Sequence, residues 1–232
     1  IPSADAPRRR IRLFDTLRGI SVISMVLFHF YYDLVFIIGI VPSSAFFTPA
    51  VNIWRATISW TFLFIAGAMC TFSRSNLKRA GLYLLVALAI YLVTSSIDAS
   101  VTISFGIIFG IGSCTLIASA LDALGTTCKG YLWAFLFILI FLLLLELPQG
   151  RISILGIHLA NVPRAPYLLG WLSWLGFPGP NFISADYYPL LPYLFLYLAG
   201  RSCGFVWKEE GYTAGFWEFS VPALESVGKH AL

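Results

Sequence analysis

Residues Leu13–Leu34, LFDTLRGISVISMVLFHFYYDL, are apolar enough to cross a bilayer, yet they carry Asp15, Arg18, His29 and Asp33. An ionisable group deep in a span costs about 2.5–3.5 kcal/mol on insertion scales, so such residues face a cavity or a polar partner. On a helix, the 11 steps from Arg18 to His29 make three turns plus about 20°, with a rise of about 16 Å. Asp33 lies one turn beyond His29 and Asp15 one turn before Arg18, so all four share a stripe about 60° wide. One such residue would read as glue between helices. Four on one face point to an active cavity.

The rest of the chain supplies the other walls. Its 232 residues are 59% hydrophobic and 11% charged, with mean hydropathy +0.84, which excludes an ordinary soluble domain. The apolar runs are continuous and of spanning length, unlike the alternating segments of about 10 residues in an outer-membrane barrel. The fold class is therefore all-α, a polytopic transmembrane helical bundle. The net charge of +4 is modest, and the basic residues sit between apolar runs, which argues against nucleic-acid binding. The four cysteines have no CxxC spacing, so neither a metal site nor a disulfide framework is expected.

About six spans are expected: Leu17–Val41, Ile53–Phe72, Ala80–Ser96, Ser104–Leu124, Tyr131–Leu147 and Tyr187–Val206. Ala66, Gly67 and Ala68 allow close helix contact, and Gly106 and Gly110 form a GxxxG pair read as packing. The fifth span, nearly pure Leu, Ile and Phe, reads as lipid-facing. Residues Pro148–Ala185 make a long connection rich in Gly, Pro and aromatics, expected to fold over the mouth of the bundle. The second proline of DYYPLLP, Asp186–Pro192, is expected to bend the start of the last span. The tail, Trp207–Leu232, mixes charges with aromatics and reads as lying on the membrane surface.

Basic residues fix the orientation. Arg8–Arg12, then Arg74, Lys78 and Arg79, then Lys129, then Arg201 and Lys208 all fall on one side of a six-span serpentine. The positive-inside rule makes that side cytoplasmic, with a cytoplasmic N-terminus and the long loop outside. Arg18 then lies near the inner surface, His29 near mid-membrane and Asp33 further out. A histidine held by a carboxylate is a competent general base, and Asp33 stands one turn from His29 for that purpose. Asp15, Arg18, Arg74, Lys78 and Arg79 form a candidate donor end, its arginines suited to phosphate. Asp186, Tyr187, Arg151 and His158 are the candidate acceptor-side residues.

ArgGlyIle at Arg18–Ile20 with MetValLeuPheHis at Met25–His29 resembles the signature of integral-membrane acyltransferases that O-acetylate sugars and cell-wall polymers. Adding LeuPheAspThrLeuArgGlyIle, PheLeuPheIleAlaGlyAlaMet at Phe62–Met69, IleSerPheGlyIle at Ile103–Ile107 and AspTyrTyrProLeuLeuPro, the ordered set is more similar to bacterial relatives of heparan-α-glucosaminide N-acetyltransferase. The resemblance implies one acyltransferase-like domain over residues 1–232, in the inner membrane. Acetyl-CoA or another acyl-CoA would be the cytoplasmic donor, with no covalently bound cofactor, and a sugar or glycan the outer acceptor, by O- or N-acylation. His29 would be the base, with Arg18 near the donor. Those relatives often carry a histidine where this chain has Phe109, and GlyLysHisAla at Gly228–Ala231 resembles their lead-in to a final span, expected here to be lacking. The expected partners are the lipid bilayer, acyl-CoA and the glycan, with no nucleic acid and with homo-oligomerisation open.

Two rival functions fit the same polar stripe. A proton-coupled transporter or flippase of small polar or lipid-linked substrates would also use an intramembrane His and Asp, although the chain shows no internal repeat. A membrane scaffold would use the stripe only to hold helices together.

Overall fold

The structure is a computed structural model that describes residues 11–97, 102–154, 156–211 and 215–230. The expected basic flank at Arg8–Arg10, and Ala231 and Leu232 at the end of the tail, lie outside the described residues. The chain divides into two compact units, Ile1–Phe62 with Gly211–Leu232, and Leu63–Glu210. The helices are α1 (Arg12–Phe36), α2 (Ser43–Phe46), α3 (Pro49–Cys70), α4 (Asn76–Ile97), α5 (Ile107–Ala123), α6 (Tyr131–Leu144), α7 (Leu190–Glu210) and α8 (Pro222–His230). A two-stranded antiparallel hairpin, β1 (Arg151–Ile154) and β2 (Ile157–Asn161), is the only sheet among the described residues.

Five helices are long and apolar enough to cross a membrane: α1, α3, α4, α6 with its 3-10 extension to Gln149, and α7. The expected fourth span is the 17-residue α5, about 25 Å long and so shorter than the usual hydrocarbon core. Residues 102–106 before it are not helical.

In the first unit, α1 starts and stops earlier than the Leu17–Val41 expected. Asp15 suits the first turn, where a carboxylate meets the positive end of the helix dipole. Gly39, at φ 75°, closes the other end: Ile40 N–H donates to Leu34 O at 3.1 Å, the capping pattern that a left-handed glycine permits. The tail differs from its expected place on the membrane surface. Pro222–His230 is helical and packs on the first half of α1, where a Cβ on Gly19 would overlap the Leu224 carbonyl and one on Gly228 the Asp15 carbonyl. Arg12 donates to Glu225 through Nε at 3.1 Å and Nη2 at 3.0 Å, and Lys229 pairs with the same carboxylate.

The second unit packs α4 on α5, α6 on α7 and α5 on α7. As expected, the small residues of α3 permit close approach: a Cβ on Gly67 would overlap the Tyr197 carbonyl of α7. The reciprocal surface, Gly200 and Gly204 of α7 against Phe64 and Ala68, is a second GxxxG that the sequence reading passed over. At the expected pair, Gly106 lies against Asp186 and Ile103, and Gly110 lies 3.2 Å, measured from a built Cβ, from the Tyr188 carbonyl. Nor is α6 lipid-facing all round, since Ala134 and Phe141 are buried and Ala134 packs in a cluster with Ala199 and Cys203 of α7.

Residues 148–185 form the hairpin and short 3-10 turns, pinned to the start of α7. Leu190 N–H donates to Trp174 O, and Leu191 N–H to Leu175 O, both at 2.9 Å. The expected bend in α7 falls at Leu191, at φ −95° and ψ 129°, because the residue before a proline is driven out of the α region. Several cations of this unit are engaged within it. Lys208 Nζ donates to Thr71 O at 2.9 Å, Lys129 pairs with Glu209, and Arg201 with Asp122. The hairpin and Asp186 occupy the opposite end of the same helices.

Gly200→Val forces the α3 and α7 backbones apart and is expected to cost about 3 kcal/mol, read as a lowered Tm in detergent. A second outcome concerns pH. Arg12, then Lys229, hold the Glu225 carboxyl down to about 2, against an ordinary 4.5. A depressed folded-state value gives stability that is present above the ordinary value and lost as pH falls through the folded one. The protection factors of the amides across 222–230 should therefore fall between pH 4.5 and about 2, and Glu225→Gln should abolish that dependence.

Candidate functional site

The stripe expected on α1 divides into two halves of different character. At its start, Asp15 and Thr16 are buried, and Arg18 pairs with Asp15 across one turn. Two donors remain without a partner, the Thr16 hydroxyl and Arg18 Nε. Three turns on, His29 is exposed and Asp33 half-buried. They lie one turn apart, as their spacing requires, but no hydrogen bond or ion pair joins them among the described residues, so the carboxylate-held histidine is not formed here. The nearest ring to His29 is Phe28, edge-on at 6.1 Å between centroids.

Around this outer half stands an aromatic cluster that sequence reasoning did not single out. Phe28, Tyr31, Tyr32 and Phe36 of α1 meet Phe46 of α2, and Phe28 and Tyr31 meet Trp54 of α3. Trp54 Nε1–H donates to Ser24 Oγ at 2.7 Å, tying α3 to α1. The signal lay in the sequence as the run Phe28–Tyr32, three aromatics on one face and its edge.

In the second unit the remaining donor-end residues sit at the turn between α3 and α4. Arg74 and Lys78 are exposed, while Arg79 is engaged, with Nη2 3.2 Å from the Tyr83 hydroxyl and its guanidinium 5.8 Å from that ring. The acceptor-side residues separate into two groups. Arg151 pairs with Glu146 at 3.4 Å, and His158 stands opposite Ser153 in the hairpin. Asp186 and Tyr187 instead join the two motifs IleSerPheGlyIle and AspTyrTyrProLeuLeuPro. Asp186 Oδ2 accepts from Ile107 N–H at 2.9 Å, and Tyr187 bridges Phe105 as a parallel pair. A cavity of about 60 Å³ opens beside them, lined by Ala87, Ile90, Ser104, Phe109 and Asp186 among others. The Tyr187 hydroxyl donates to Ser173 O at 2.7 Å.

Arg201 needs the largest correction. Read from sequence as a flank of the last span, it lies within α7, 1% exposed. It pairs with Asp122, reaches Thr126 O at 3.4 Å and stacks 4.6 Å from the Phe205 ring centroid. Close by in the same unit, Tyr197 and Thr115, both buried, share a hydrogen bond of 3.0 Å. An arginine within AlaGlyArgSerCysGly, flanked by apolar turns, was the available signal.

Several apolar helices of spanning length among the described residues define a multi-pass membrane protein. The chain belongs to the family described as heparan-alpha-glucosaminide N-acetyltransferase, catalytic, whose pattern matches residues 10–232. No curated protein and no solved structure matches it. The family is one of membrane acetyltransferases, and membership gives the chain transferase-type character.

Removing one member of the Arg201–Asp122 pair should be costly. Asp122→Ala leaves Arg201 buried without its carboxylate, but Asp122 is 42% exposed. The loss is then expected at about 1–2 kcal/mol, below the 3–5 of a fully buried pair. The double variant Arg201→Met, Asp122→Ala should recover most of it in detergent thermal melts.

Proposed function

We propose that the chain transfers an acetyl group from cytoplasmic acyl-CoA to a hydroxyl or amine of a sugar or similar acceptor at the outer face of the inner membrane, with its N-terminus cytoplasmic. The observation that carries this reading is the stripe on α1, whose inner half is a paired arginine and whose outer half is a histidine free of any protein hydrogen bond among the described residues. Family membership supplies the class of chemistry.

In this mechanism Arg18, with Asp15 fixing its guanidinium, receives a phosphate of the donor; Arg74, Lys78 and Arg79 keep the donor-binding role read for them from the sequence. His29 takes the proton from the acceptor as its oxygen or nitrogen attacks the thioester carbonyl. The C–S bond breaks, the acyl group remains on the acceptor, and the coenzyme leaves as a thiolate that takes up a proton. Asp33 stabilises the imidazolium once it forms, closing the one-turn gap between them. Asp186, Tyr187, Arg151 and His158 face the acceptor.

His29→Ala is expected to lower acyl transfer by about 10²–10⁴-fold, the usual contribution of a general base, with the thermal melt unchanged. Arg18→Gln should raise the KM for acyl-CoA instead. Proton-driven flux into proteoliposomes without acyl-CoA turnover would replace this reading with the transporter.

A further inference from the structure

The loop between α6 and α7 presents a surface that the acyl-transfer chemistry does not use. From Leu147 to Ala185 the sequence contains Arg151, His158 and Arg164 but no Asp or Glu. One side of the segment is firmly packed: Leu147 and Ser173 are buried, and Tyr167 donates to the Leu147 carbonyl. The other side is apolar and open. Every residue of β2 is exposed, and Ile157 and Leu159 fall on one face of that strand because side chains alternate. With Leu168, Leu169 and Trp171, these side chains are 46–71% exposed.

Unfolded linkers expose apolar groups in passing, whereas here they are held out by an ordered hairpin and turns. Ordered exposed apolar patches mark interaction surfaces. Position identifies the partner. The segment leaves directly from α6, whose Leu132, Phe135, Leu136, Ile138 and Leu139 are likewise exposed and face acyl chains in a spanning helix. β1 packs on α6, so the open apolar side starts where that lipid-facing surface ends. Tryptophan and arginine beside aliphatic residues are the side chains that suit the boundary between headgroups and acyl chains.

We propose that residues 151–171 dock on the lipid surface of the membrane that the spans cross. Ile157, Leu159, Leu168 and Trp171 enter the headgroup boundary, and Arg164 meets a lipid phosphate. The loop thereby grips the bilayer beside the bundle. This holds whether or not the chain transfers acyl groups.

The test uses wild type and Trp171→Phe in liposomes of phosphatidylcholine and phosphatidylglycerol, plain or brominated near the headgroup end of the acyl chains. The difference in emission between the two proteins isolates Trp171, and its exposed position makes the substitution tolerable. Docking predicts that this difference falls roughly twofold or more in brominated lipid, as for an interfacial tryptophan, and resists aqueous iodide. A difference quenched by iodide and untouched by bromine places Trp171 in water and overturns the proposal. So does one insensitive to both, which means that a second copy or another protein covers the loop.

Discussion

Inside a bilayer no water is available for an unpaired backbone amide or carbonyl, so every irregular stretch must find its partners within the protein. The second unit is built around that constraint at residues 102–106 and 184–188. Ala185 N–H donates to Thr102 O at 2.9 Å and Tyr188 N–H to Phe105 O at 2.7 Å. Ser104 N–H donates to Ser184 Oγ at 3.1 Å, and Ile107 N–H to Asp186 Oδ2 at 2.9 Å. Asp186 thus caps α5 from a distant part of the chain and fixes where that short helix begins. Gly106 is required at the junction because a Cβ there would lie 2.7 Å from Asp186 Oδ2.

Below that junction the helices are held by shape. With lipid as apolar as leucine, association depends on close van der Waals contact, which small residues permit. The facing glycines of α3 and α7 bring the two backbones together, and most polar groups in this layer find partners within it, Arg201 Nε excepted. Arg201 has a carboxylate, a carbonyl and an aromatic face; Tyr197 has Thr115. These contacts are internal to the unit, and they lock the helices that carry its two ends.

How much of this was legible in the sequence follows from what each signal depends on. Spans are set by local composition, so five of the six expected ones were readable; the expected fourth, α5, is a shorter helix preceded by irregular backbone that pairs with a segment far along the chain. The Gly67 contact was visible as a run of small residues. The Gly200 face was obscured by the arginine between its glycines, which looked like a flank. The shared face of Asp15, Arg18, His29 and Asp33 is helix geometry and needs no tertiary knowledge. The state of each side chain does: Asp15 and Arg18 pair, whereas His29 and Asp33 do not. The capping role of Asp186 was invisible, since it depends on two motifs about 80 residues apart meeting in space.

Ionisable groups in this chain therefore sort by whether the fold already satisfies them. Arg201 is buried and provided with Asp122, the Thr126 carbonyl and the Phe205 ring, although its Nε lacks a partner among the described residues. Asp15 and Arg18 are half-way: they neutralise one another, yet Arg18 Nε and the Thr16 hydroxyl beside them still lack partners. His29 stands at the other extreme, on a spanning helix with only an aromatic edge against it. A group carried at that depth without a protein partner is stable only if something else meets it. Glue is recognised by the partner it holds, and no hydrogen bond or ion pair meets His29 among the described residues. The proposed transfer reaction would supply a transient partner there, its proton and acceptor, on a face of α1 turned away from Trp54 and the rings of Phe28 and Tyr31 that meet it.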